Sequence, residues 1–265
     1  MGKRIGAPDM LYTTFASRNE AFFSKAVRRR TIRLNGPDEA YDLNLCVASI
    51  HQEAAPLEFL SPSETDKYFS FKYQRRRNSY LLGKLAAKLA IASEEDDLDH
   101  IIIEHGILCQ PIVAGSDRKI TITHSDSIGA AVYYDPRLLI GIDIEVVDQK
   151  TEDALKKVTS QDEEALINQS DADYGAMLTM LWTIKEAMSK VIQTGFTVAP
   201  DMFEISEIAR KEAGFISQFK NFPQFQAISI LSHEYVLTVV LPRKAMADAG
   251  EYRLTQILQE LLQPF

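Results

Sequence analysis

Cysteine is scarce: the 265-residue chain has two, Cys46 and Cys109. They stand far apart and form no Cys-x-x-Cys pair. That excludes a thiolate metal cluster or a disulfide-framed scaffold, and two free thiols in a reducing cytoplasm are the expectation. Basic residues are also in deficit, 29 Lys and Arg against 37 Asp and Glu, for a net charge of −8. Nonspecific nucleic-acid binding needs a dominant basic surface and is excluded. An anionic substrate would have to be held by local clusters of cations, because the overall field repels it. Long apolar runs are missing. Nothing approaches the ~18 residues of a membrane-spanning helix, so no membrane association is expected. No apolar segment follows Met1-Gly2-Lys3-Arg4, as a signal peptide requires, and Gly6 stands where a myristoylation site has Ser or Thr. The remainder, 46% hydrophobic and 25% charged, is ordinary globular composition. It is enough for one large domain or two small ones with a sizeable core.

Residues 1–40 are polar and punctuated, with a basic run at Arg28-Arg29-Arg30 that suits a solvated surface; an irregular N-terminal extension is expected there. Tyr41 to Ile50 alternates as a strand does. Ser61-Pro62-Ser63-Glu64 combines a capping box with proline at the first helical position, so a helix should run through Lys67 to about Tyr73. Leu81, Leu85 and Leu89 recur at helical spacing and predict the next helix, with Arg77, Lys84 and Lys88 along an adjoining line. The bland reading of those cations is snorkelling side chains around a core helix. Ile101 to Ile103 predicts a short strand, and Gly106 to Gly115 a loop containing Gln110-Pro111. Lys119 to Thr123, Ile128 to Tyr134 and Leu138 to Val147 predict three strands, with a turn at Asp135-Pro136. A second capping box, Ser160-Gln161-Asp162-Glu163, precedes a long helix near Leu178 to Gln193. Strands follow at Phe215 to Phe219, Phe225 to Leu231 and Tyr235 to Leu241, then a terminal helix with Leu254, Ile257, Leu258 and Leu261 inward. The order capping box, long helix, strands occurs twice. It predicts an α+β fold of two similar halves joined near residues 135–140.

Three constellations could carry chemistry. In Gly141-Ile142-Asp143-Ile144-Glu145, strand alternation sends the isoleucines to the core and both carboxylates to the other face. Paired carboxylates repel unless a cation lies between them, and hard oxygen ligands suit Mg2+. A solvated strand face is the competing interpretation. In Trp182-Thr183-Ile184-Lys185-Glu186-Ala187-Met188-Ser189-Lys190, a helix places Leu181, Ile184, Met188 and Val191 on one side. Trp182, Glu186, Ser189 and Lys190 fall roughly opposite. Taken alone, Glu186 and Lys190 could be a surface i,i+4 pair worth ~0.2–0.5 kcal/mol. Third, Thr123-His124-Ser125-Asp126 ends a strand, where His124 could meet a phosphate.

In this order and spacing, Thr123-His124-Ser125, then Gly141 to Glu145, then Trp182 to Lys190, the chain resembles the 4'-phosphopantetheinyl transferase superfamily. Its length and apparent duplication resemble the two-half, surfactin-synthetase-type branch. Upstream, Ser61-Pro62 through Lys67 and Tyr80-Leu81-Leu82-Gly83-Lys84 also resemble that branch, and the likeness covers roughly residues 45–240. The resemblance implies an enzyme that moves 4'-phosphopantetheine from coenzyme A to a serine of an apo acyl- or peptidyl-carrier protein, releasing adenosine 3',5'-bisphosphate. It implies Mg2+, or Mn2+, held by Asp143, Glu145 and Glu186. Asp143, Glu186 and Lys190 would be catalytic, with Glu186 as base, directly or through a water. Lys190, Lys67, Arg77, Lys84, Thr123 and His124 would bind the coenzyme, with Gln110 and Pro111 beside the adenine. Cys109-Gln110-Pro111 departs from the Gly-Lys-Pro frequent in relatives. Glu64 stands where a relative can be basic, leaving the 3'-phosphate to Lys67 or the Arg75–Arg77 run. The halves would be 41–137, binding coenzyme A, and 138–265, holding the metal site and catalytic helix, with the active site in the cleft between them. A cytoplasmic monomer is expected. The alternatives are a Mg2+-dependent nucleotide pyrophosphohydrolase and a non-catalytic carrier-protein-binding relative.

Overall fold

The structure is a computed structural model that describes residues 26–50, 56–93, 96–194, 197–232, 234–246 and 250–264. Most of the expected N-terminal extension, residues 1–25, lies outside them.

Six antiparallel strands form the first sheet: β1 (Val27–Asn35), β2 (Ala40–Ser49), β3 (Ile103–His105), β4 (Pro111–Val113), β5 (Lys119–Ser125) and β6 (Ile128–Tyr134), in the order β1-β2-β6-β5-β4-β3. Five form the second: β7 (Gly141–Val146), β8 (Ile205–Lys211), β9 (Gly214–Phe219), β10 (Phe225–Leu231) and β11 (Tyr235–Pro242), in the order β7-β11-β10-β9-β8. Among the described residues there are six α-helices: α1 (Pro62–Ser70), α2 (Gln74–Ile91), α3 (Glu152–Lys156), α4 (Gln161–Ile167), α5 (Tyr174–Val191) and α6 (Gly250–Leu261).

Three apolar clusters organise these layers. One face of each sheet meets the other in a shared core that joins Leu45 and Val132 of the first sheet to Ile142, Ile144 and Leu237 of the second, closed by Leu254, Leu258 and Leu261 of α6. The outer face of the first sheet is covered by α2 through Leu81 and Leu85. The outer face of the second is covered by α5 through Leu181, Ile184 and Met188. Two glycines allow these helices to lie on their strands. A Cβ at Gly129 of β6 would meet the Leu82 carbonyl oxygen of α2 at 2.7 Å. A Cβ at Gly141 of β7 would overlap the Ala187 carbonyl oxygen of α5.

Both capping boxes form, and each does more than end a helix. Ser61 caps α1, and Glu64 returns a carboxylate oxygen to the Ser61 amide. Glu64 also pairs with Lys84 at 2.8 Å and with the fully buried Lys88 at 2.6 Å, and Lys88 donates to the Phe59 carbonyl. Ser160 caps α4 in the same way through Glu163. Glu163 pairs with the buried Lys185 of α5 at 2.7 Å, and Lys185 donates to the Val158 carbonyl. Phe59 and Val158 each precede the capping serine by two residues. One buried lysine therefore ties each long helix to the short helix before it.

Several expectations need correction. Residues 27–35 are not irregular: they form β1, with Ile32 and Leu34 alternating into the shared core. The arginine run hid that alternation, and Arg28 donates to carbonyls of Gln263 and Pro264. The helix begun at Ser61 stops at Ser70, because Phe71 is extended. β3 starts at the last residue of the strand expected over Ile101 to Ile103, and β4 lies within the expected 106–115 loop; at three residues each, they are too short to show a period of two. β8 was not anticipated, since only its Ile205 is buried. Residues 138–140 precede β7 instead of belonging to it.

Candidate active site

β7 is an edge strand: it pairs with β11 on one side, and among the described residues no strand takes the other. Side chains of β5 fill that edge. The Thr123 hydroxyl accepts from the Ile144 amide at 3.3 Å and donates to Asp143 Oδ1 at 2.8 Å. Two residues on, the Ser125 hydroxyl accepts from the Val146 amide at 3.2 Å and donates to Glu145 Oε2 at 2.7 Å. Because Ile142 and Ile144 are drawn into the shared core, the alternate residues Asp143 and Glu145 face away from it.

The close approach of α5 at Gly141 sets Glu186 and Lys190, one turn apart, over these carboxylates. Lys190 Nζ donates to Asp143 Oδ1 at 2.8 Å and to the Ile142 carbonyl at 2.9 Å. Trp182 donates to Glu145. Asp143 is only 3% exposed, yet among the described residues its Oδ2 has no hydrogen-bond partner. Burial raises the Glu145 pKa, and the charge of Asp143 adds to the rise. Burial, reinforced by Asp143, pushes Glu186 up to about 7, against the opposing pull of Lys190. His124 is held below its ordinary value, first by the protein packed around it and then by Lys190. The residue is nonetheless exposed to solvent.

A cleft of about 550 Å3 gathers most of the expected residues. Asp143, Glu145, Glu186 and Lys190 form one wall, with Thr123 and His124 beside them. Lys67, Lys84 and Pro111 also line the cleft. Two expected residues stand apart. Arg77 points away and donates to the Phe71 carbonyl at 2.9 Å, closing the end of α1. Gln110 lines a neighbouring cavity of about 520 Å3 that shares Pro111, Ile122 and Lys190 with the cleft. Lys84 lines the cleft, but its amine is committed to Glu64 and the Ile103 carbonyl. Sequence reasoning missed Tyr80 and Ser79 as cleft residues, together with His105, and weighed Arg76 only within its run. The helical spacing 76, 79, 80, 83 was the available signal, since those positions share one face of α2. Arg77 is turned ~100° from Arg76.

Among the described residues no three carboxylate, imidazole or thiol side chains form a ready-made metal site. Even so, the residues present fit a hard divalent cation. Asp143 has a buried oxygen without a partner among the described residues, and burial together with the charge of Asp143 raises the pKa of both Glu145 and Glu186. All the donors are oxygens, as Mg2+ and Mn2+ prefer.

The raised Glu186 pKa has a consequence for the metal-free protein. The fold favours its neutral form, so its contribution to stability is complete below the ordinary carboxylate pKa and is lost as pH rises through about 7. The depressed His124 pKa acts oppositely, weakening the fold as pH falls below the ordinary histidine range. Thermal midpoints of chelator-treated wild type and Glu186→Gln, compared from pH 5 to 8, separate the two. The difference between the proteins should shift toward the variant between about pH 5 and 7 and level off above that. A pH-independent difference would mean that Glu186 titrates normally.

Comparison with known proteins reaches the same part of the chain. No curated protein sequence matches it. The family model of the 4'-phosphopantetheinyl transferase superfamily matches residues 139–240, and two antiparallel sheets with six helices are compatible with that fold. The matched stretch runs from β7 through most of β11. It includes Asp143, Glu145, Glu186 and Lys190, while Thr123, His124 and all of α2 lie before it. Residues 139–240 are thus similar to a superfamily of transferases over the segment that supplies the acidic wall of the cleft.

Proposed function

We propose that this protein transfers 4'-phosphopantetheine from coenzyme A to the serine of an apo acyl- or peptidyl-carrier protein, in a Mg2+-dependent reaction. The observation that carries this reading is the meeting of Asp143, Glu145, Glu186, Lys190 and His124 along one cleft that Lys67 and Arg76 also line. Asp143, Glu145 and Glu186 would hold Mg2+, with Mn2+ able to replace it, and the ion supplies positive charge against the pyrophosphate oxygens. Lys190, already fixed by Asp143 and the Ile142 carbonyl, stabilises the diphosphate as a pre-set cation. His124, kept neutral by its surroundings, donates a hydrogen bond to a phosphate oxygen. The serine oxygen attacks the β-phosphorus, the bond from that phosphorus to the bridging oxygen breaks, and adenosine 3',5'-bisphosphate leaves. The serine proton passes through a water to Glu186.

Lys67 and Arg76 are the cleft cations available to the 3'-phosphate, because Lys84 is already paired with Glu64. Pro111, and Gln110 behind it, would lie beside the adenine. Arg76→Ala should raise the KM for coenzyme A about tenfold, the loss of one charge-assisted hydrogen bond. Arg77→Ala should leave that KM unchanged and lower the thermal midpoint slightly. Steady-state kinetics of the two neighbours decide which arginine serves the ligand. In the same reading, residues 41–137 bind the nucleotide end and 138–265 hold the metal and α5. The twin lysine clamps support the two as duplicated halves, and the protein acts as a cytoplasmic monomer.

Intact-mass spectrometry of an apo carrier protein incubated with the enzyme, coenzyme A and Mg2+ tests the proposal. A gain of one phosphopantetheine, abolished by a chelator, is the expected result. Coenzyme A cleaved without carrier modification would make the protein a pyrophosphohydrolase. Intact coenzyme A across several unrelated carriers would make it a binding protein.

A further inference from the structure

The seam between β5 and β7 bears on the acidic wall in a way that no coenzyme contact explains. Thr123 and Ser125 are two residues apart on β5, so their side chains leave the same face. Each hydroxyl does two things at once. Each accepts a backbone amide of β7, from Ile144 or Val146, and each donates to the carboxylate of the residue just before that amide, Asp143 or Glu145. The pairing has a fixed direction. A hydroxyl whose lone pair is taken by an amide has its one proton to give, and here it gives that proton to the carboxylate. On Asp143, a residue of the cleft lining, the same oxygen, Oδ1, also receives Lys190, which leaves Oδ2 buried and without a hydrogen-bond partner among the described residues. On Glu145 the oxygen held is Oε2.

We propose that Thr123 and Ser125 are positioning residues. By claiming one oxygen of each carboxylate, they turn the other toward the divalent cation expected in the cleft. This rests on the proposed function for the identity of the ion, but it differs from the coenzyme-contact role first expected of Thr123. It also explains why Ser125, which does not line the main cleft, can influence that cleft. The partners of a ligand that do not themselves touch a metal commonly change its affinity by about 10- to 100-fold when removed.

The test uses substitutions that keep shape. Thr123→Val replaces the hydroxyl by a methyl group of equal size, Thr123→Ser keeps the hydroxyl, and Ser125→Ala removes the second one. Mn2+ affinity of the full chain is measured by calorimetry, and kcat and the KM for coenzyme A are measured separately. Thr123→Val should weaken Mn2+ binding about tenfold and lower kcat, with that KM little changed. Thr123→Ser should restore both, and Ser125→Ala should give a smaller loss in the same direction. A KM increase for coenzyme A with unaltered Mn2+ affinity would overturn the proposal and make Thr123 a coenzyme contact. Unaltered Mn2+ affinity with only a lower thermal midpoint would reduce the seam to a structural joint. Wild type that binds no Mn2+ would overturn it as well. Wild type that binds Mn2+ but transfers nothing, with the Thr123→Val loss intact, would refute the proposed transferase and leave this inference standing.

Discussion

Asp143→Ala should abolish carrier modification, lowering the rate on the order of a thousandfold, while leaving the fold in place. The reason is how many groups converge on this side chain. Asp143 lines the cleft, fixes Lys190, receives Thr123, and keeps a buried oxygen without a partner among the described residues. On the proposed function, removing it takes away a cation ligand and releases the amine that would face the diphosphate. Stability should change by only ~1 kcal/mol, because two effects oppose each other. Two charge-assisted hydrogen bonds are lost, but Glu145 and Glu186 are relieved of a neighbouring negative charge that raises both their pKa values. The Lys190 side chain is already 27% exposed, so its freed amine can turn to water. Intact-mass kinetics with a thermal midpoint read on the same sample check both halves of this expectation. A variant that keeps a tenth of the wild-type rate would remove Asp143 from the mechanism.

Gly141→Ala should be the most damaging single methyl addition in the second sheet. The new Cβ would overlap the Ala187 carbonyl oxygen and lie 2.8 Å from its carbonyl carbon, so backbone meets backbone and no rotamer can yield. α5 would have to lift off β7, opening the apolar cluster beneath it and moving Glu186 and Lys190 from Asp143. Overpacking of this kind costs about 3 kcal/mol or more, or roughly 10 °C in a chain of this length. Gly83→Ala is the matched control. There a Cβ meets Ile122 and His124 side chains at 3.5 and 3.6 Å, which is ordinary contact. Its interior position in α2 should make alanine neutral or stabilising by up to ~1 kcal/mol. Thermal or urea unfolding of the two variants side by side is the measurement. Equal midpoints would show that α5 does not depend on the glycine.

What was legible in the sequence follows from what periodicity and capping can carry. Both capping boxes, both long helices, and the strands β5, β6, β10 and β11 announce themselves through apolar spacing. The acidic wall was legible because strand alternation alone places Asp143 and Glu145 together, and a helical turn alone pairs Glu186 with Lys190. Relations between distant segments were not legible. Nothing in Thr123 or Ser125 says that their hydroxyls will satisfy the edge of β7. Nothing in Lys84 says that Glu64 will neutralise it within a cleft that could use its charge. Arg76 and Arg77 are interchangeable in composition, and only the exact facing of α2 separates them. β1 and β8 escaped for a different reason: an edge strand with few buried residues carries little hydrophobic pattern.

The side-chain seam between the two sheets has a consequence for how this protein can change over generations or in an engineer's hands. Most enzymes can trade one property against another, because the groups that hold the structure differ from those that do the work. Here a hydroxyl that closes a strand edge is bonded to the same carboxylate that serves the cleft, and an amine that ties a helix to a strand faces the same acid. Replacing those polar groups with well-packed apolar ones, a common route to a sturdier protein, would remove the chemistry along with the joint. Improvement must come from elsewhere, in surface charges, helix ends and loops, while the seam is kept whole.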